Sequence, residues 1–109
     1  MHPVSSLDDL QRRIHAEAAL LAYFSTPDCR VCASLRPKLE ALLAEAFPRL
    51  AGAYVDCAAL PEAAAQYQVF AVPSLLVFFD GRETLRRGRG IGMGQLRDDI
   101  GRIYALRFD

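Results

Sequence analysis

Apolar and polar positions alternate with two different periods along this chain. Leu7, Leu10 and Ile14 recur at helical spacing, with Asp8, Asp9, Arg12 and Arg13 on the other side. Ser5 or Ser6 can cap that helix, and two aspartates suit its positive first turn. Residues 18–24 then form a nearly unbroken apolar run, the pattern of a strand buried on both faces. After the turn signal Ser25-Thr26-Pro27-Asp28, the helical period returns from Cys32. Leu35, Leu39, Leu42, Leu43, Ala46 and Phe47 make one face, and Arg36, Lys38, Glu40 and Glu45 the other. Pro37 should bend this helix and Pro48 should end it.

Residues 52–57 predict a second strand, which makes a βαβ unit with parallel pairing. Pro61 opens a short Ala-rich helix to about Tyr67. Residues 74–79 predict a third strand, and Asp80-Gly81 is a two-residue hairpin signal. Arg82 to about Arg89 returns as an antiparallel edge strand. Met93, Leu96, Ile100 and Ile103 define a last helix. The sum is a three-layer α/β sandwich around a four-stranded mixed sheet, or a five-stranded one if Val4 adds a short strand.

Composition narrows the picture. The chain has 109 residues, 52% of them hydrophobic, which suffices for the core of one domain. Its 13 basic and 13 acidic residues cancel, so bulk charge gives no reason to expect nucleic acid or an anionic membrane as partner. No apolar stretch nears the roughly 20 residues of a membrane span. Met1 to Ala16 is amphipathic rather than a secretion signal. Three cysteines are an odd number and argue against a framework of structural disulfides. Together these features predict a reducing, cytoplasmic setting.

The candidate chemistry lies at Cys29-Arg30-Val31-Cys32, where the first core strand gives way to a helix start. Unpaired N–H groups and the helix dipole favour a negative sulfur there, and thiols so placed commonly have pKa values lowered from about 8.5 toward 7. A dithiol of this kind exchanges electrons with other thiols. A metal site is the competing reading. Zinc would require four ligands, and Cys57, His2 and His15 are the only other candidates, with no second close pair among them. A fold relic without activity is the third.

The motifs and their order resemble the thioredoxin family. The cysteine pair follows the first core strand, and Pro37 stands where the family's active-site helix carries a kinking proline. Val72-Pro73-Ser74 resembles its cis-proline loop, and Phe78-Phe79-Asp80-Gly81 its strand end and hairpin turn. Gly94-Gln95-Leu96 is similar to the start of its last helix. The resemblance covers nearly the whole chain from Ser5 onward. It implies one thioredoxin-like domain over residues 1–109, with four helices flanking the sheet. It also implies a thiol-disulfide oxidoreductase that reduces protein disulfides. Cys29 would attack and Cys32 resolve, with Val72, Pro73, Arg30 and Val31 contacting substrate. Pro37, Tyr23 and Tyr54 would shape the site. The implied partners are protein disulfides and a reductase or other dithiol donor, with no bound cofactor and a monomeric protein. The alternative is a thioredoxin-fold binding or redox-sensing module that docks a partner through the Arg82–Gly94 region.

Departures from the family pattern matter. Tyr23 stands where the family usually has a buried Asp, and Tyr54 where thioredoxins commonly have a Lys. Ser25 and Asp28 replace the usual Trp residues, and Arg30-Val31 replaces the common Gly-Pro. The chain is thus thioredoxin-like rather than a standard thioredoxin. Loss of the carboxylate should slow deprotonation of Cys32 or leave it to water, and an aromatic pocket should raise the Cys32 pKa.

Residue type predicts Cys57, Tyr67 and Phe70 in the core, with a regulatory or resolving thiol as the alternative reading of Cys57, and His2 and His15 at the surface. Arg82, Arg86, Arg87 and Arg89 read as charges that block edge pairing, or else as a docking surface for an acidic partner. Gly88, Gly90, Gly92 and Gly94 do not form a phosphate loop. They suit a flat approach to the rim of the site, with Gly88 or Gly90 in the place where the family has a glycine.

Overall fold

The computed structural model describes residues 1–109. Its elements are β1 (His2–Pro3), α1 (Leu7–Ala16), β2 (Ala19–Ser25), α2 (Arg30–Ala46), β3 (Ala51–Asp56), α3 (Pro61–Gln66), β4 (Ser74–Phe79), β5 (Arg82–Gly88) and α4 (Met93–Phe108). The strand order is β1-β3-β2-β4-β5. Strands β1, β3 and β2 run parallel, β4 is antiparallel to β2, and β5 is antiparallel to β4. The sheet has five strands rather than four. The extra strand is His2–Pro3, not Val4, although the Val4 N–H still donates to the Tyr54 carbonyl at 2.9 Å.

The unbroken apolar run in β2 has a simple cause. All seven residues are buried, because helices cover both faces of the sheet. The two-residue strand period sorts them. Ala19, Leu21 and Tyr23 face a core shared with α2 and α4. Leu20, Ala22 and Phe24 face a second core shared with α1 and α3. Strand β4 divides the same way, with Leu75, Val77 and Phe79 on the first side and Leu76 and Phe78 on the second. Burying a side chain such as Phe24 contributes about 1.5–3 kcal/mol.

Local chemistry fixes the ends. The Ser6 Oγ accepts from the Asp9 N–H at 3.0 Å, and Asp9 accepts from the Ser5 N–H at 2.9 Å, a reciprocal cap that starts α1. Asp80 and Gly81 both have positive φ, 54° and 81°, as a tight hairpin between twisted strands requires. Beyond it, Thr84 is the extra residue of a bulge opposite Val77/Phe78, and its hydroxyl donates to the Val77 carbonyl at 3.2 Å.

Two residues expected in the core are not there. Phe70 is 91% exposed. It follows Val69, which takes the inward position in the loop after α3, so the next side chain turns outward. Cys57 is only half-buried, one residue past the end of β3. Tyr67 is partly buried, edge-on to Phe78 with ring centroids 5.7 Å apart. His2 and His15 are exposed, as expected.

Candidate active site at one end of the sheet

Strand register brings four loops to one end of the sheet. Ser25 pairs with Asp56, Phe24 with Ser74, and Ser74 with Gly88. The segments after β2, after β3, before β4 and after β5 therefore meet there. They carry the cysteine pair, Cys57, Val72–Pro73 and Arg89.

Cys29 is the N-cap of α2, and its side chain does the capping. The Sγ atom accepts from the Cys32 N–H at 3.1 Å, and the Cys29 carbonyl accepts from the Ala33 N–H at 3.1 Å. No acidic residue lies in the first turn of α2 to oppose a negative sulfur. Cys29 and Cys32 form a disulfide across this turn, with Cα atoms 5.2 Å apart. The two sulfurs are not equivalent. Cys29 is half-buried, whereas Cys32 is 1% exposed and packs in the core that contains Tyr23. Arg30 and Val31 between them are exposed.

Tyr23 lies fully buried beneath this turn. Its hydroxyl donates to the Cys32 carbonyl at 2.6 Å. Burial pushes its pKa up to about 12; neighbouring Tyr54 adds to the rise and Arg36 opposes it. The group is therefore a neutral donor across the whole working range of pH, and no base. The position of Pro37 explains the need for a tether. Proline has no N–H for the Ala33 carbonyl, so the first turns of α2 lose a bond. Tyr23 holds the turn bearing Cys32 against the sheet. Tyr54 is its partner across β2 and β3, with ring centroids 6.2 Å apart. The Arg36 guanidinium stacks 4.3 Å from the Tyr54 ring centroid. An open cleft of about 310 Å³ beside these groups is lined by Ser25, Pro27, Ala33, Arg36, Pro37 and Tyr54.

The loop before β4 contains a cis Val72–Pro73 bond. Pro73 is buried, Val72 is partly buried, and Val72 packs on the same core as Cys29. Gly88, rather than Gly90, lies beside this loop; a Cβ there would come 3.7 Å from the Pro73 carbonyl oxygen. Gly90 has the positive φ of 90° and open space around it, and Gly92 is the N-cap of α4.

Other expected residues are differently employed. Arg86 pairs with Glu83 at 2.8 Å and donates to the carbonyls of Tyr67 and Gln68, which ties β5 to the end of α3. Arg87 pairs with Asp99 of α4 at 3.2 Å. These two are internal fasteners more than free edge charges. Arg89 donates to the Val72 carbonyl at 3.3 Å. Burial raises the Cys57 pKa; a hydrogen bond with Ser25 opposes the rise and the Asp56 charge adds to it. The metal alternative finds no assembled ligand set, since His15 lies against Gly81 at the opposite end of the sheet. Sequence reasoning placed Arg36 on the solvent face and missed its stacking on Tyr54. Its position one turn after Cys32 was the available signal.

The thioredoxin family model matches residues 4–100. The chain is 33% identical over 106 residues to the thioredoxin-like protein YdfQ of Bacillus subtilis, covering 97% of this chain and 94% of that one. It is 30% identical over 95 residues to thioredoxin 1 of Chlorobaculum tepidum, covering 87% and 92%. The X-ray structure of Fasciola hepatica thioredoxin superposes with a TM-score of 0.84 at 33% identity, covering 94% of this chain and 98% of that one.

Proposed function

We propose a division of labour between the two sulfurs, starting from the fact that this chain belongs to the thioredoxin family and is a thiol-disulfide oxidoreductase: Cys29 attacks and Cys32 resolves. In the reduced protein, the first-turn N–H groups of α2 stabilise a Cys29 thiolate. That thiolate attacks one sulfur of a substrate disulfide. The S–S bond breaks, a mixed disulfide forms, and the departing substrate thiolate takes up a proton. Cys32 then gives up its proton and attacks the Cys29 sulfur. The second substrate thiolate leaves and is protonated in turn. Two electrons pass to the substrate, and the pair ends as the Cys29–Cys32 disulfide.

The observation that carries this assignment is the asymmetry between a half-buried sulfur at the helix cap and its buried partner. The Val72–Pro73 segment would hold an extended substrate chain by backbone hydrogen bonds, with Arg30 and Val31 touching it from the other side. Tyr23 is a neutral donor and cannot take the Cys32 proton, so that proton passes to water. The substrates are protein disulfides, and electrons return to the protein from a reductase or another dithiol. We place the protein in a reducing compartment, the cytoplasm, working as a monomer. Its odd cysteine count supports that placement, and no helix is long and apolar enough to cross a membrane.

Insulin-disulfide reduction tests the assignment. Cys29→Ser should abolish turnover, and Cys32→Ser should accumulate a mixed disulfide through Cys29. Equilibration with glutathione tests the direction: a potential near about −270 mV suits a reductant, and one near about −120 mV would make the protein an oxidant.

A further inference from the structure

The segment proposed to hold the substrate backbone already has a side chain on it. Arg89, just past β5, donates from its guanidinium to the Val72 carbonyl at 3.3 Å. Its neighbours Arg86 and Arg87 are committed to Glu83 and Asp99. Arg89 is exposed and pairs with no carboxylate. Charge is also divided across this end of the sheet. Asp56 follows β3, on the side of β2 away from β4 and β5, and accepts from the N–H groups of Ala58 and Ala59, whereas Asp28 immediately precedes Cys29. Val72 precedes β4 and Arg89 follows β5, on the other side. A peptide chain pairing with Val72 by strand-like bonds needs that carbonyl for its own N–H.

We propose that Arg89 is a specificity-determining latch on the substrate shelf. In the free protein it caps the Val72 carbonyl. When a substrate presents an Asp or Glu beside its cysteine, the guanidinium moves onto that carboxylate and frees the carbonyl for the substrate backbone. An Arg–carboxylate bond is stronger than an Arg–carbonyl bond, so the exchange favours acidic substrates. A neutral substrate must displace Arg89 without that return. The preferred substrates are therefore protein disulfides with an acidic flank on the β5 side. This inference rests on the reading of Val72–Pro73 as the shelf.

The test uses disulfide peptides that differ only in one residue flanking the cysteine: Glu, Gln or Lys. The wild-type protein should rank them Glu over Gln over Lys, by about threefold to fivefold per step in kcat/KM at low salt, the range of an exposed ion pair. The ranking should narrow at high salt. Arg89→Ala should narrow it too, and should raise kcat/KM on the Gln peptide by removing the latch. Arg30 adds its own preference for acid, so the effect is read as the difference between the wild-type and Arg89→Ala proteins. Arg82→Ala, at the far end of β5, should keep the full ranking. An Arg89→Ala protein that ranks the peptides as before, or is slower on the Gln peptide, would overturn the latch. A Gln peptide N-methylated where it meets Val72 separates the two readings. If methylation slows turnover while Arg89→Ala changes nothing, the shelf stands and the latch falls. If methylation has no effect, both fall.

Discussion

The two ends of the central sheet are built to opposite plans. At the hairpin end, Asp80 and Gly81 make a two-residue turn, and the Arg107 side chain clasps Asp80 through two bonds of 2.8 and 3.1 Å. That contact ties the last turn of α4 to the β4–β5 hairpin. At the dithiol end, groups are left accessible: Cys29 is half-buried, Arg30 and Phe70 are exposed, and Arg89 holds a single bond. Beneath this open surface lies a floor of Tyr23 and Tyr54, their rings packed together. The closed end holds the fold, and the open end, on that buried support, exchanges electrons.

The strongest way to break this contrast is at the sulfur. Cys29→Ser should cut disulfide reduction by about a thousandfold or more, since a nucleophile is lost, while thermal unfolding of the reduced protein stays close to that of the reduced wild-type chain. A Cys29→Ser protein that is active but unstable would reverse the assignment of roles to the two ends. The floor gives the next effect. Tyr23→Asp introduces a carboxylate under Cys32 and should speed resolution of the mixed disulfide by about a hundredfold, the low end of general-base catalysis. Stopped-flow traces without acceleration would show that proton transfer from Cys32 does not limit resolution. Tyr23→Phe should instead cost about 1–3 kcal/mol, because the Cys32 carbonyl loses a buried donor.

At the closed end, Gly81→Ala should destabilise the protein by about 1–2 kcal/mol, because φ at this residue is 81° and a Cβ would approach the His15 Nδ1 to 3.2 Å. Denaturant midpoints should fall while kcat/KM on insulin holds. The mildest lever is acid. Bonds from the Ser5 N–H, from Arg107 and from Arg86 hold the carboxyls of Asp9, Asp80 and Glu83 below their usual values. Their folded pKa values lie under the unfolded ones, so the unfolded chain binds more protons in acid. The stability they supply is present above about pH 5 and is lost as pH falls through the folded values. A denaturation midpoint that rose between pH 5 and 3 would contradict those pairings.

Much of the architecture was legible because burial on two faces writes itself as an apolar run. Residues 18–24 and 74–79 marked two central strands, and Asp80-Gly81 marked the turn. The Cys29–Cys32 pair was equally plain, whereas the difference in burial between its two sulfurs appears only in the packed structure. What escaped depended on packing between distant segments. Phe70 looked like core by residue type, yet it lies in a loop where no period assigns a face. Cys57 was read as a buried strand residue, but β3 ends one position earlier. Arg86 and Arg87 looked like edge charges, and only tertiary placement shows their pairing with the end of α3 and with α4. The Arg89–Val72 contact joins residues 17 apart across the hairpin, and local pattern carries no trace of it.

The division of labour proposed for the dithiol rests on a difference in ionisation between two neighbouring sulfurs. The direct measurement is the pH dependence of alkylation of the fully reduced protein, with each modified cysteine mapped. One thiol, Cys29, should react first, with a midpoint below the usual value of about 8.5. Cys32 should be protected by burial, and Cys57, its pKa raised, should lag at neutral pH. Equal and slow reaction at all three sites, or a fast thiol that maps to Cys57 or Cys32, would contradict it.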